Sequence, residues 1–149
     1  VAARRNLADC VVATDIPHRG KSGKEAWMQE AGTLMREVAG LRRSGSAALD
    51  LCWVAAGRYD GYWERGIKPW DMAAGMLIVR EAGGVVSDAD GGDRMFDTGS
   101  VVAANPYVHK ALLPPLGGKV GGPPKPARKI LSMSDRPKKT GAAEDETPQ

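Results

Sequence analysis

The chain is short of the residues that most often betray chemistry. Its 149 residues include two cysteines, two histidines and one phenylalanine. Two cysteines cannot build a disulfide scaffold. Cys10 and Cys52 both lie in apolar stretches and read as small buried hydrophobes in a protein of the reducing cytoplasm, not as nucleophiles. His18 and His109 are about 90 residues apart with no ligand spacing between them, so neither a zinc site nor a catalytic dyad is supported. No apolar run approaches the roughly 20 residues that cross a bilayer, which excludes an integral membrane protein. No secretory core and cleavage site follow Val1-Ala2-Ala3-Arg4-Arg5-Asn6, and a chain opening on Val1 is expected to be clipped or incomplete at this end.

Charge of one sign is also lacking where it would matter. The net charge is +3, yet residues 1–116 hold 14 basic and 14 acidic side chains, and the excess sits in the last 33 residues. The basic character therefore does not imply a nucleic-acid partner for the domain. Those 33 residues hold five Gly and five Pro and few apolar side chains, too few to offset chain entropy. A domain over 1–116 and a disordered Gly/Pro/Lys-rich tail over 117–149 are expected.

Within the domain, elements alternate. Val11–Thr14 reads as a short buried strand, and Asp15 to Gly20 as a loop. Lys24 to Gly40 suits a helix with Trp27, Ala31, Leu34, Met35 and Val38 at helical spacing. A second helix, about Ser46 to Ala56, is apolar nearly all round and is expected to be buried. Tyr59 to Glu64 looks like a strand. A third helix from Pro69 or Trp70 to Ala82 has Pro in its first turn and stops at Gly83-Gly84. Short strands at Val85–Ser87 and Val101–Ala103 and a helix from Pro106 to about Leu113 follow. This alternation predicts a layered α/β domain.

Two familiar motifs fail on inspection. Gly20-Lys21-Ser22 ends like a P-loop, but Asp15 stands where the first glycine is needed. Asp88-Ala89-Asp90-Gly91-Gly92-Asp93 resembles a calcium loop, but Gly99 stands where the twelfth-position glutamate is needed; a solvated turn is expected.

The informative stretch is different. Five of the eight aromatics (Trp53, Tyr59, Tyr62, Trp63, Trp70) fall within eighteen residues, with Glu64 among them and Asp71 directly after. One carboxylate lies at a strand end and the other in a helix's first turn, where open α/β folds tend to place ligands. Read from the residues alone, Asp71 serves as well to hold free backbone N–H groups at the helix start, and Glu64 as an ion-pair partner of Arg65 or Lys68.

Trp70-Asp71-Met72-Ala73-Ala74-Gly75, followed by Ile78-Val79-Arg80-Glu81-Ala82-Gly83-Gly84, resembles the second signature of the inositol monophosphatase family. The likeness includes Arg43-Ser44-Gly45-Ser46-Ala47-Ala48-Leu49-Asp50, Tyr59-Asp60-Gly61-Tyr62-Trp63-Glu64 and Val102-Ala103-Ala104-Asn105. These blocks stand in the family's order and cover about residues 7–116. The resemblance implies the C-terminal half of an αβαβα sugar-phosphatase-type fold, usually homodimeric, and a Mg²⁺-dependent phosphomonoesterase acting on a small phosphorylated polyol such as inositol phosphate. By position it implies Asp71 as a metal-bridging aspartate that also meets substrate. It further implies Gly45, Ser46 and Ala47 as the segment meeting substrate hydroxyls, and Glu64 as the carboxylate accepting from the inositol ring. The chemistry suits these residue types, because a phosphate monoester of about two negative charges calls for divalent cations that neutralise it and activate water.

The family's first signature, Asp-Pro-Ile/Leu-Asp-Gly-Thr with a glutamate upstream, is absent; Thr14-Asp15-Ile16-Pro17 is only an echo of it. Since that signature supplies most metal ligands, no catalytic residue is assigned here and the isolated chain is expected to be inactive. A homodimer or a missing N-terminal half is the expected partner. Two alternatives stay open: a related phosphatase acting on nucleotide 3′-phosphate, histidinol phosphate or fructose bisphosphate, and a non-catalytic binding or dimerisation module.

Overall fold

The computed structural model of the chain describes residues 1–17 and 22–118. His18, the Gly20-Lys21 pair and nearly all of the expected tail lie outside the described residues. The elements run β1 (Val11–Thr14), α1 (Lys24–Leu34), β2 (Gly40–Arg42), α2 (Ala47–Ala55), β3 (Gly61–Arg65), α3 (Pro69–Glu81), β4 (Val85–Ser87), α4 (Met95–Thr98), β5 (Ser100–Ala104) and α5 (Pro106–Leu112). Single 3₁₀ turns at Leu7–Asp9 and Pro114–Leu116 bracket them.

The five strands form one mixed sheet in the order β2-β1-β3-β5-β4. β1 pairs in parallel with β2 and β3, while β5 runs antiparallel to both β3 and β4. Strand side chains alternate between faces, and both faces are covered. Val12, Trp63, Val102 and Ala104 pack with Ala31 and Leu34 of α1 and Val108 and Leu112 of α5. Ala13, Tyr62, Val101 and Ala103 pack with Leu51 and Val54 of α2 and Met72, Met76 and Val79 of α3. The described residues thus make a layered α/β domain with a helix pair on each face, and β5 is buried along its whole length.

Local chemistry accounts for the helix starts. Ser46 Oγ accepts from Leu49 N at 3.4 Å to open α2. Asn105 Oδ1 accepts from Tyr107 N and Val108 N to open α5, while its Nδ2 donates to the carbonyls of Ala2 and Arg4. One asparagine therefore caps a helix and anchors the N-terminal segment. Gly75, on α3, marks a close helix crossing: a β-carbon there would stand 2.5 Å from Leu51 Cβ of α2.

Several expectations need correction. The first helix ends at Leu34, not Gly40, because Ala39 N donates to Cys10 O (3.0 Å) and Gly40–Arg42 then pairs with β1 as an edge strand. Met35, expected on the buried stripe, is 67% exposed. β3 is shifted to Gly61–Arg65, since Asp60 uses its carboxylate to accept from Val11 N at 2.8 Å. α2 is not buried all round: Leu51 and Val54 face the sheet, but Leu49 faces outward. Cys10 is fully buried, which pushes its thiol up to about 11, whereas Cys52 is only half-buried. The Asp88 turn is not solvated at its first residue. Asp88 is buried, and its carboxylate accepts from the backbone N–H groups of Asp90, Gly92 and Arg94.

His109 is structural. It is buried with Nε2 2.8 Å from Ser87 Oγ, whose own hydrogen goes to Asp88 O at 2.8 Å. With that hydrogen engaged, Nε2 carries the proton and donates.

Candidate active site

The C-terminal ends of β1 and β3 lie side by side. Thr14 pairs with Trp63, which puts Asp15 and Glu64, the next residue of each chain, abreast at the sheet's end. The residues joining β2 to α2 and the first turn of α3 close the space above them. The result is an open pocket of about 260 Å³ lined by Asp15, Glu64, Ile67 and Asp71, and by the backbone-rich run Gly45-Ser46-Ala47-Ala48. All five residues nominated from the sequence (Gly45, Ser46, Ala47, Glu64 and Asp71) meet here, from three separate stretches of chain.

Each wall has a local cause. Gly45 takes a left-handed conformation (φ +85°), which lets the chain turn into α2 without a side chain over the pocket. Ser44 Oγ accepts from Ser46 N at 3.2 Å and holds that turn. Asp71 lies at the third position of α3, and its Oδ2 accepts from Lys68 N at 3.1 Å. The capping reading of Asp71 is therefore correct in geometry. Its Oδ1 has no hydrogen-bond partner among the described residues, so capping leaves one oxygen for another use.

Glu64 is buried, and the Tyr62 hydroxyl, two residues back on the same face of β3, donates to its Oε2. Burial first, and then the charge and acceptance of Glu64, push the Tyr62 phenol well above its usual range, so it stays protonated as a donor. Arg65 points to the other face, where its Nε donates to Glu30 Oε1 at 2.6 Å and Trp63 Nε1 donates to Glu30 Oε2 at 3.3 Å. The expected pairing of Glu64 with Arg65 is thus replaced by Glu30, because neighbours on a strand face opposite ways. The same alternation scatters the aromatic cluster. Tyr62 and Trp63 split between faces, Trp53 and Tyr59 pack edge to face with centroids 5.3 Å apart, and Trp70 is 78% exposed.

Two acidic residues were missed. Asp15 lines the pocket, and its Oδ1 accepts from Ile16 N at 2.8 Å and from Arg43 Nε at 2.6 Å. Asp50, on α2, is fully buried, and among the described residues neither of its carboxylate oxygens is hydrogen-bonded. Burial raises its pKa, the nearby Ser44 hydroxyl opposes that rise, and the charge of Asp15 adds to it. Only the position of Asp15 directly after a strand could have marked it, and nothing in the apolar run around Asp50 distinguished a buried carboxyl from a surface one.

The lining is rich in hard oxygen donors, the kind that divalent cations of the Mg²⁺ type prefer. Yet among the described residues no group of three or more His, Cys, Asp or Glu is placed to hold a metal ion by itself. Asp71 fits as one ligand of a metal, not as a complete site. No helix among the described residues is long and apolar enough to cross a membrane.

Comparison with known proteins fits this geometry. The sequence profile of the Inositol monophosphatase family matches residues 4–117. An inositol-1-monophosphatase of Mesorhizobium japonicum is 54% identical over 113 residues, which is 76% of this chain and 42% of the relative. The Nus factor SuhB of Escherichia coli K12 is 51% identical over 109 residues, 73% of this chain and 41% of that protein. Among solved structures, the suhB protein of Bartonella henselae superposes with a TM-score of 0.76 at 49% identity, covering 78% of this chain and 44% of its own. Inositol monophosphatase from Anabaena gives 0.71 at 40% identity, covering 78% and 46%. The chain spans rather less than half the length of these relatives. By profile, sequence and fold, the chain belongs to the inositol monophosphatase family.

Proposed function

We propose that the chain supplies the substrate-facing half of a Mg²⁺-dependent phosphomonoesterase site that releases phosphate from an inositol phosphate. The observation that carries this reading is the convergence of Asp71, Glu64 and the Gly45–Ala47 segment on one pocket. Because the matched residues span less than half of the relatives' length, the remaining metal ligands are assigned to a polypeptide carrying the family's first signature. The outer face of α2 and α3 supports a part awaiting its complement: Leu49, Trp70, Leu77 and Ile78 are each more than 40% exposed. On this reading residues 1–116 are the C-terminal half of the catalytic domain, within the cytoplasm.

The roles follow from the geometry. Asp71 accepts from Lys68 N with Oδ2, and its Oδ1 would serve as one hard oxygen ligand of Mg²⁺, so one side chain would serve both the start of α3 and the metal. When bound, Mg²⁺ would neutralise phosphate charge and lower the pKa of an attacking water. Glu64, with one oxygen held by Tyr62, accepts from a ring hydroxyl. The turn at Gly45 brings backbone groups of Ser46 and Ala47 within reach of neighbouring hydroxyls without a side chain intervening. Burying a hydroxyl without such a partner would cost about 1–3 kcal/mol, so these acceptors orient the polyol.

A split in kinetic constants tests the assignment. With the chain paired to the N-terminal portion of the Mesorhizobium relative, Glu64→Gln is expected to raise KM for inositol 1-phosphate about tenfold with little change in kcat. Asp71→Asn is expected to lower kcat a hundredfold or more. Equal, small effects of both on kcat and KM would contradict these roles.

A further inference from the structure

Glu30 stands on α1, on the face of the sheet away from the pocket, yet it is tied to both neighbours of Glu64. It is buried, and it accepts from Trp63 Nε1 with Oε2 (3.3 Å) and from Arg65 Nε with Oε1 (2.6 Å). Side chains alternate along a strand, so Trp63 and Arg65 project towards α1 while Glu64 projects towards the pocket. Holding both flanking side chains from behind therefore fixes the backbone that carries Glu64. Arg65 extends the tie, because its Nη2 donates to Leu116 O at 2.9 Å. One turn earlier on the same face of α1, Trp27 Nε1 donates to Thr14 Oγ1 at 3.3 Å. Thr14 is the register partner of Trp63 and directly precedes Asp15. One face of α1 thus braces the ends of both strands that deliver carboxylates to the pocket. The end of β3 is where a brace matters. Its ladder with β1 stops at the Thr14–Trp63 pair, so Glu64 is paired with β5 alone, and the chain turns at Gly66 (φ +72°) just beyond.

We propose, resting on the reading of this pocket as a polyol-phosphate site, that Glu30 is a positioning residue for Glu64: acting through Trp63 and Arg65, it sets where the substrate-facing carboxylate stands without touching substrate itself. A group that orients a substrate hydroxyl must be held to within about 0.5 Å by the residues that support it. Glu30 does this with one carboxylate that takes a charge-assisted hydrogen bond from each flanking side chain, its own charge being balanced by Arg65. The influence crosses the sheet through the backbone of β3, so a helix on one face serves a site on the other.

The test is a kinetic cycle in the enzyme formed by pairing the full chain with the N-terminal portion of the Mesorhizobium relative, with inositol 1-phosphate and Mg²⁺. Glu30→Gln keeps the size and one acceptor oxygen but loses the charge and the second acceptor. It is expected to raise KM about fivefold while kcat changes by less than about twofold. In the Glu64→Gln background the same substitution is expected to change KM by less than about twofold, because the carboxylate it positions is already gone. Arg65→Lys keeps the charge but cannot hold Glu30 and Leu116 O with one rigid fork, and is expected to raise KM about twofold. A merely structural Glu30 would lower the urea midpoint and leave KM unchanged, or would raise KM by the same factor in both backgrounds. Either result overturns the inference and leaves the polyol reading standing. A Glu64→Gln variant whose own KM is unchanged overturns the reading of Glu64 and the inference with it.

Discussion

Tyr62 donates its hydroxyl hydrogen to Glu64, two positions further along the same strand and on the same face. The bond lies in the buried layer between the sheet and the α2–α3 pair, and it fixes one oxygen of the carboxylate that reaches the pocket. Tyr62→Phe removes a buried hydrogen bond to the Glu64 carboxylate. The expected cost is about 1–3 kcal/mol in urea unfolding. In the paired enzyme it should raise KM several-fold, in the same direction as Glu64→Gln but less.

Asp50 should weaken the fold at neutral pH. Its folded-state pKa is raised, chiefly by burial, so the folded chain holds a proton there more tightly than the unfolded chain. Its stability contribution is full below the unfolded carboxylate range and is lost as pH rises through the folded value. Asp50→Asn should therefore stabilise the chain at pH 7, with a smaller gain at pH 4. Urea midpoints at the two pH values check the sign.

His109 acts in the opposite sense. Burial lowers its pKa to about 4 from an ordinary 6.5, so the folded state favours the neutral ring. Between those values the unfolded chain binds more protons, and stability present above pH 6.5 is lost as pH falls towards 4. The loss should be on the order of 2–3 kcal/mol, and His109→Gln should flatten this part of the profile. Unfolding followed from pH 7 to pH 4.5 in both proteins measures it.

Gly75 offers a packing test of the sequence motif. A β-carbon there meets Leu51 Cβ at 2.5 Å and Cδ1 at 2.7 Å, and the Cβ atom is too near its own backbone to swing aside. Gly75→Ala should push α2 from α3 and cost about 1–3 kcal/mol. Glycine closes the Trp70–Gly75 block because two helices cross there, whereas Asp71 in the same block faces the pocket.

How much of this was legible in sequence depended on whether the signal was local. β1, β4 and the two helices α2 and α3 were marked by apolar runs, by Ser46 and by Pro69, and they lie within a residue or so of expectation. β2 was hidden, because Gly40-Leu41-Arg42 becomes a strand only through pairing with β1, and the helical spacing of Trp27 to Leu34 ran on into it. α4 is a single turn without an apolar period. At the site, Asp71, Glu64 and Gly45–Ala47 were reached through motif blocks. Asp15 stood in a loop that no motif tied to the site, and its place in the pocket arises from a register that no local pattern encodes. The burial of Asp50 likewise depends on the packing of α2.

The most direct test of the account is phosphate release from inositol 1-phosphate in Mg²⁺, measured for the purified 149-residue chain alone and after pairing with a polypeptide that carries the family's first signature. The account predicts no turnover above background for the chain alone, turnover on pairing, and its loss in the paired Asp71→Asn variant. Robust turnover by the chain alone, abolished by Asp71→Asn, would contradict the claim that this chain holds only half of the catalytic site.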